Sequence, residues 1–365
     1  MRLVVAIVTA LVLQISLAMT HAVTPTQPTS LASSQATKSS QSRKFVLGKY
    51  TLTDIGAGNV AGINSAGQVA CNLKIGDGGH AFIYSSASGD KKDIGNFDAR
   101  GINDKGAVCG NMNGHVVFFY NGTIHDLGIP LGGSSCRTYA LNIHGMITGQ
   151  YKLPNGHVHA FLYDPANPKD GGFADIGTLG GSPDSAATDM SYGSSINDAG
   201  QVEGDSINAK GEDHCFVWTK GVMVDVGTLG GPASSGMVIN NAGHATGTAQ
   251  LPGSGKATES WISHLFFYDG KLHDCGTLGG KWANSGGIND DDVIVGWSTI
   301  APTDTNTYHA FIYANGVMTD LNSLIPANSG FTLNQAGGIN STGQIVVNGV
   351  DSAGKNHALL LDPVR

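Results

Sequence analysis

The 365-residue sequence is poor in charge: 13% of it is Asp, Glu, Lys or Arg, and glutamate occurs only at Glu203, Glu212 and Glu259. Four of its 20 basic residues, Arg2, Lys38, Arg43 and Lys44, precede residue 45. The rest of the chain sets 16 basic against 28 acidic residues, a formal net charge of −12. An acidic body without a basic stripe argues against nucleic acid or an anionic membrane as the main partner. There is no GxSxG, HExxH or paired CxxC, so the common signatures of hydrolases, zinc proteases and thiolate metal sites are missing. The five cysteines (Cys71, Cys109, Cys136, Cys215, Cys275) are odd in number and lack framework spacing, and read as buried free thiols.

Long apolar runs are also scarce. The one that exists, residues 3–18, follows Arg2 and precedes Thr20-His21-Ala22, a small-x-small cleavage site. Residues 1–22 are therefore expected to be a signal peptide, with the protein secreted or held in the periplasm or cell envelope. The run is short for a bilayer span and is broken by Gln14 and Ser16, so no span is expected in the mature chain. Residues 23–44, rich in Ser, Thr, Gln and Pro, read as a disordered leader.

What the sequence has in quantity is glycine, 53 residues, and repetition. A phrase beginning HAF or similar recurs at His80, His159, His214, His264, His309 and His357, with a version at His115 that reads one residue out of register. An Asp-aliphatic-Gly phrase follows at Asp54, Asp93, Asp126, Asp175, Asp225 and Asp274, ending as Asp320-Leu321-Asn322. An Ile-Asn turn phrase recurs at Asn64, Asn103, Asn142, Asn197, Asn240, Asn289 and Asn340. Short aromatic and β-branched runs bounded by Gly, Asn and Asp signal strands. About 46 residues with four strands is the size of a propeller blade.

The repeats open on Tyr50-Thr51-Leu52-Thr53-Asp54-Ile55-Gly56, the last strand of a unit. They close on His357-Ala358-Leu359-Leu360-Leu361-Asp362, the third strand of one. The expected fold is therefore all-β: a seven-bladed β-propeller of four-stranded blades over residues 45–365. It is a single domain, closed by the N-terminal strand joining the last blade, which removes two exposed sheet edges. A monomer is expected.

The phrases HAF(I/L)Y, D(I/V)GTLGG and IND.G resemble those of the bacterial extracellular HAF-repeat proteins, over residues 50 to 362. The strand order is similar to that of kelch-type propellers. The resemblance implies secretion and a propeller-like fold, and no defined activity. Asp292 departs from it by replacing the turn Gly, and Asn322 by replacing the Gly after Leu321.

Residues that repeat build blades, so a site is sought among those that do not. The repeated histidines would sit on third strands, too far apart to share a metal, and are expected to bond to the repeated Asp of the next strand. No metal and no cofactor is expected. TLGG lacks the Lys and helix of a phosphate loop and reads as turn glycines. Asp290-Asp291-Asp292 lacks the ligand spacing of a calcium loop. Long irregular connections at 150–158, 182–193, 205–213, 248–263 and 298–308 all fall on one face, opposite the Asn-Gly turns. That face carries the aromatics Trp261, Trp282, Trp297 and Tyr308, with Lys256, Glu259, Lys281 and Asp304 beside them. Aromatic faces with a few polar groups suit sugar rings or a protein loop. The leading expectation is a module that binds extracellular polysaccharide or a cell-surface protein. The rivals are a polysaccharide hydrolase or lyase using Asp184, Asp189, Glu259 or Asp304, and a structural envelope protein.

Overall fold

The computed structural model describes residues 45–364, except 77, 168, 186–187 and 255–260 and the side chains of 304–306. The expectations for residues 1–22 and 23–44 fall outside these. The described chain is all-β, with three short 3-10 turns as its only helical pieces.

Five sheets have four antiparallel strands each, taken in chain order, and a sixth sheet has seven. Alternation places one face of each strand inward, as in Ser191–Ile196 with Ser191, Gly193 and Ser195 buried. The Phe of the repeated phrase is fully buried at Phe161, Phe216, Phe266 and Phe311. Each such burial is worth roughly 1.5–3 kcal/mol. Apolar clusters lie between consecutive sheets, for example Ala160 and Leu162 against Ile196, Val202 and Phe216.

The seven-stranded sheet is two four-strand groups that share Tyr50–Ile63. Residues 50–57 pair with Asn356–Pro363, Leu52 opposite Leu361. Residues 58–63 pair with Gln68–Ile75, Val60 opposite Cys71. The strand expected to stop at Gly56 thus runs on and becomes the first strand of the next group. Gly58 permits this handover: its φ is +155°, and a Cβ there would lie 2.1 Å from the Asn72 carbonyl oxygen.

The Ile-Asn turns pack together. Each Asn side chain accepts from amides of its own turn and donates to the backbone carbonyl of the next repeat's Asn. Asn64 donates to Asn103, and the series passes through Asn142, Asn197, Asn240 and Asn289 to Asn340, which donates to Asn64. The seven links measure 2.8–3.3 Å and form a complete circuit. A polar cavity of about 200 Å³ opens among these turns, lined by Asn, Asp, Ile and Leu. Where the turn Gly is replaced, Asp292 adopts a φ of 60°. Its carboxylate accepts from Asn240 Nδ2 at 2.9 Å and lies 2.8 Å from His244 Nδ1, which offsets the strain.

The slip expected at His115 is absent. His115 faces Met112 as His80 faces Leu73, and Phe119 faces Val108 as Tyr84 faces Val69. Phe119, rather than Tyr120, fills the repeat position. All five cysteines are free, and Cys71, Cys109 and Cys215 are buried. Burial pushes the Cys71 and Cys109 thiols up to about 12, as for inert packing residues. Among the described residues, no helix is long and apolar enough to cross a membrane.

Candidate functional site

At the end of each sheet opposite the asparagine turns, the third strand begins and the fourth ends. There the repeated His meets the repeated Asp in all seven groups, from His80–Asp93 to His357–Asp54, with Nδ1 2.6–3.0 Å from the carboxylate. Each Asp also accepts the amide two residues on, as Asp54 does from Gly56 at 2.9 Å. These pairs fasten strand ends. The TLGG glycines are turn formers: Gly230 has a φ of +98°, and a Cβ on Gly231 would lie 2.6 Å from the Leu251 carbonyl oxygen.

Two unrepeated constellations occupy this end. The first joins the four aromatics singled out in the sequence. Trp282 Nε1 donates to the Trp261 carbonyl at 2.6 Å. The Trp282 backbone exchanges hydrogen bonds with Thr299, through its Oγ1 at 3.0 Å and its amide at 2.9 Å. Thr299 pairs across the strand with Tyr308, and the Tyr308 ring lies 5.5 Å from that of Trp297. Trp261 is 54% exposed and Tyr308 42%; Ile300, next in sequence to Thr299, is 36% exposed. Lys281 is half-buried beside them, its carbonyl accepting from the Ser263 amide at 2.9 Å. Lys256 and Glu259 lie outside the described residues, as does the side chain of Asp304.

The second constellation contains Asp189, one of the carboxylates proposed from sequence for catalysis, and a residue that the sequence reading passed over, His157. The segment before Ser191–Ile196 is held against the start of Val158–Tyr163 by a parallel bridge between Val158 and Met190 and by Ser191 Oγ on the Ala160 amide at 2.8 Å. Asp189 Oδ2 is thereby placed 2.7 Å from His157 Nδ1 and 3.3 Å from His159 Nε2. His159 Nδ1 bonds Asp175 at 2.8 Å, and Asp175 also accepts from Tyr151 Oη at 2.9 Å. Asp189 Oδ1 accepts from Thr178 Oγ1 at 3.2 Å. Burial lowers the His159 pKa, but Asp175 and Asp189 outweigh it and hold the imidazole above its usual value. His157, His159 and Asp189 offer three convergent ligand atoms, all within 4.8 Å of one another, which is enough to hold a metal ion. The signal that could have found them is the spacing His157-Val158-His159, the sole His-x-His in the sequence; on extended backbone it puts both rings on one face. Asp184, the other carboxylate from this connection, is exposed and takes no part.

A third unusual feature, the Glu203 and Asp205 carboxyls, lies inside the strand Val202–Ile207. Burial, and next the Asp205 charge, push the Glu203 carboxyl well above the carboxylate range. Burial and Asp213 push Asp205 up to about 8, although part of that residue reaches solvent. Asp205 does what asparagines do elsewhere. It accepts the Gly236 amide of the next sheet, as Asn72 accepts that of Ala99 and Asn111 that of Thr138. The pair is thus a variant of the sheet-to-sheet link.

Several solved structures share the fold. An oligogalacturonate lyase in complex with manganese is 11% identical with a TM-score of 0.56, over 86% of this chain and 93% of that one. The oligogalacturonate lyase of Vibrio parahaemolyticus is 8% identical, TM-score 0.56, over 85% and 93%. An acylaminoacyl peptidase of Pyrococcus horikoshii is 9% identical, TM-score 0.53, over 84% of this chain and 52% of that one. At such identities the likeness is one of fold, and the fold is that of β-propeller proteins. No family model matches the chain, and no curated protein does.

Proposed function

We propose that this chain is a secreted, closed seven-bladed propeller of the HAF-repeat kind that binds an extracellular polysaccharide through its aromatic patch. The circuit in which Asn340 returns to Asn64, and the strand shared by the first and last groups, support the ring. One observation carries the binding reading: Trp261 and Trp282, with Trp297 and Tyr308 from one strand pair, are linked through Thr299 with two of their rings open to solvent. Exposed aromatic faces give apolar contact to a sugar ring while neighbouring polar groups fix its orientation. The formal charge of −12 beyond residue 44 turns the reading away from polyanions and toward neutral glycans.

A polysaccharide hydrolase or lyase is the second reading, favoured by the convergence of Asp189 with His157 and His159. Incubation with a panel of immobilised polysaccharides separates the two, reading retention and product release together. Retention without new reducing or unsaturated ends rejects the enzyme. Release of such ends rejects the pure binding module. Capture of a cell-surface protein with no glycan retained moves the ligand to the other class.

A further inference from the structure

Among the seven repeated histidines, His159 is the one whose second ring nitrogen lies within 3.3 Å of another carboxylate. Asp175 occupies Nδ1, which leaves Nε2 as the ring atom turned toward Asp189. That Nε2 is buried and has no hydrogen-bond partner. It faces Asp189 Oδ2, itself an acceptor, and His157 Nδ1 converges on the same oxygen from the other side at 2.7 Å. Two imidazoles and a carboxylate, each side chain at most 13% exposed, thus point at one small volume.

We propose that His157, His159 and Asp189 bind one divalent transition-metal ion of the zinc class. Two ligands 2.0–2.1 Å from a tetrahedral ion lie about 3.3 Å apart, the separation already shown by His159 Nε2 and Asp189 Oδ2. His157 opens from 2.7 Å by about half an ångström to complete the set. Asp175 acts as the outer-shell carboxylate that fixes the tautomer of a metal-bound histidine, and Tyr151 in turn steadies Asp175. The ion ties the 153–157 turn of one sheet to the connection that leads into the next. Three protein ligands leave a fourth position for water or a ligand group. This site stands apart from the aromatic patch and does not depend on the polysaccharide reading.

The test uses the tag-free chain, stripped with chelator and titrated with Zn²⁺, and separately with Co²⁺ as a spectroscopic probe. One Zn²⁺ per chain should survive desalting and raise the melting temperature, and Co²⁺ should give a visible tetrahedral absorption band. His157→Gln and Asp189→Asn should lose stoichiometric binding, and Asp175→Asn should weaken it by about 10–100-fold. His264→Gln, which alters a repeated pair in another sheet, should leave it unchanged. Far-UV circular dichroism of the metal-free variants shows that they are folded; if one is not, the other ligand variant decides. Absence of stoichiometric metal in the wild type overturns the proposal and leaves a proton on Nε2 as the bridge. Binding that persists in both ligand variants overturns it as well, by placing the ion elsewhere.

Discussion

The two ends of each sheet carry the same kind of device, a polar pair repeated seven times, and differ in how much freedom they leave. At the turn end the asparagines are 3–7% exposed, and each amide is used from both sides, accepting within its own turn and donating to the next. An Asp there could not donate, and an Ala would strand three groups at once. At the opposite end each His–Asp pair joins strands of a single sheet, with side chains up to 39% and 48% exposed. Neighbours can therefore be added without breaking a link between sheets. At the place of His157, two residues before the repeated His, other groups carry Gly78, Glu212, Ile262 and Lys355. The buried circuit fixes the architecture, and the open end leaves room for a site.

Breaking the circuit should have the largest effect. Asn142→Ala removes the donor to the Asn197 carbonyl and leaves the His144 and Met146 amides unpaired. At about 1–3 kcal/mol per buried unsatisfied group, the loss is on the order of 3–5 kcal/mol. It should appear as a melting temperature lower by on the order of 10 °C in a circular dichroism melt.

The link that has drifted from the asparagine pattern should be improvable. Because the Asp205 carboxyl is raised to about 8 in the folded state, its stabilising contribution is full below the unfolded carboxylate pKa near 3.9. That contribution is lost as pH rises toward 8. Asp205→Asn should therefore gain on the order of a few kcal/mol at pH 8 and little at pH 4. Chemical denaturation at the two pH values measures this, and an equal gain at both would contradict the burial argument.

On the open side, Trp261→Ala with Tyr308→Ala should weaken glycan retention by roughly 2 kcal/mol, the scale of an aromatic anchor, with melting unchanged. A joint loss of binding and stability would instead make these rings packing residues. The smallest effect is expected for His264→Gln, below about 1 kcal/mol as for an exposed pair. His159→Gln, with Asp175 and Asp189 both left facing a neutral amide, should cost more in the same melt. Equal costs would remove the distinction between His159 and the other six.

The all-β repeat architecture was legible in the sequence because its devices repeat: the Asn turns, the His–Asp fasteners and the unit split between the two ends of the repeats all show as phrases at fixed spacing. Their contacts were less so. That each Asn reaches the next repeat, as Asn340 reaches Asn64 across 276 residues, depends on how sheets stack rather than on any local pattern. The aromatics were found by being exceptions to the repeat. His157 was missed because its partner Asp189 is 32 residues away in an irregular connection, and only the stacking of Val158 on Met190 brings them together. At His115 the register is set by strand pairing, in which Val108 selects Phe119 for the place that Tyr84 fills opposite Val69.

The strand Tyr50–Ile63, shared between the first and last groups, also sets an order of events. A chain made from its N-terminus presents residues 50–57 about 300 residues before Asn356–Pro363 exists to pair with them; the His357–Asp54 bond spans 303 positions. Until residues 356–363 have been made, that half-strand is an open template for any other extended chain. Contacts this distant in sequence raise the contact order, which slows folding. Loss of the last ten residues would therefore be felt at residue 50 as much as at residue 355.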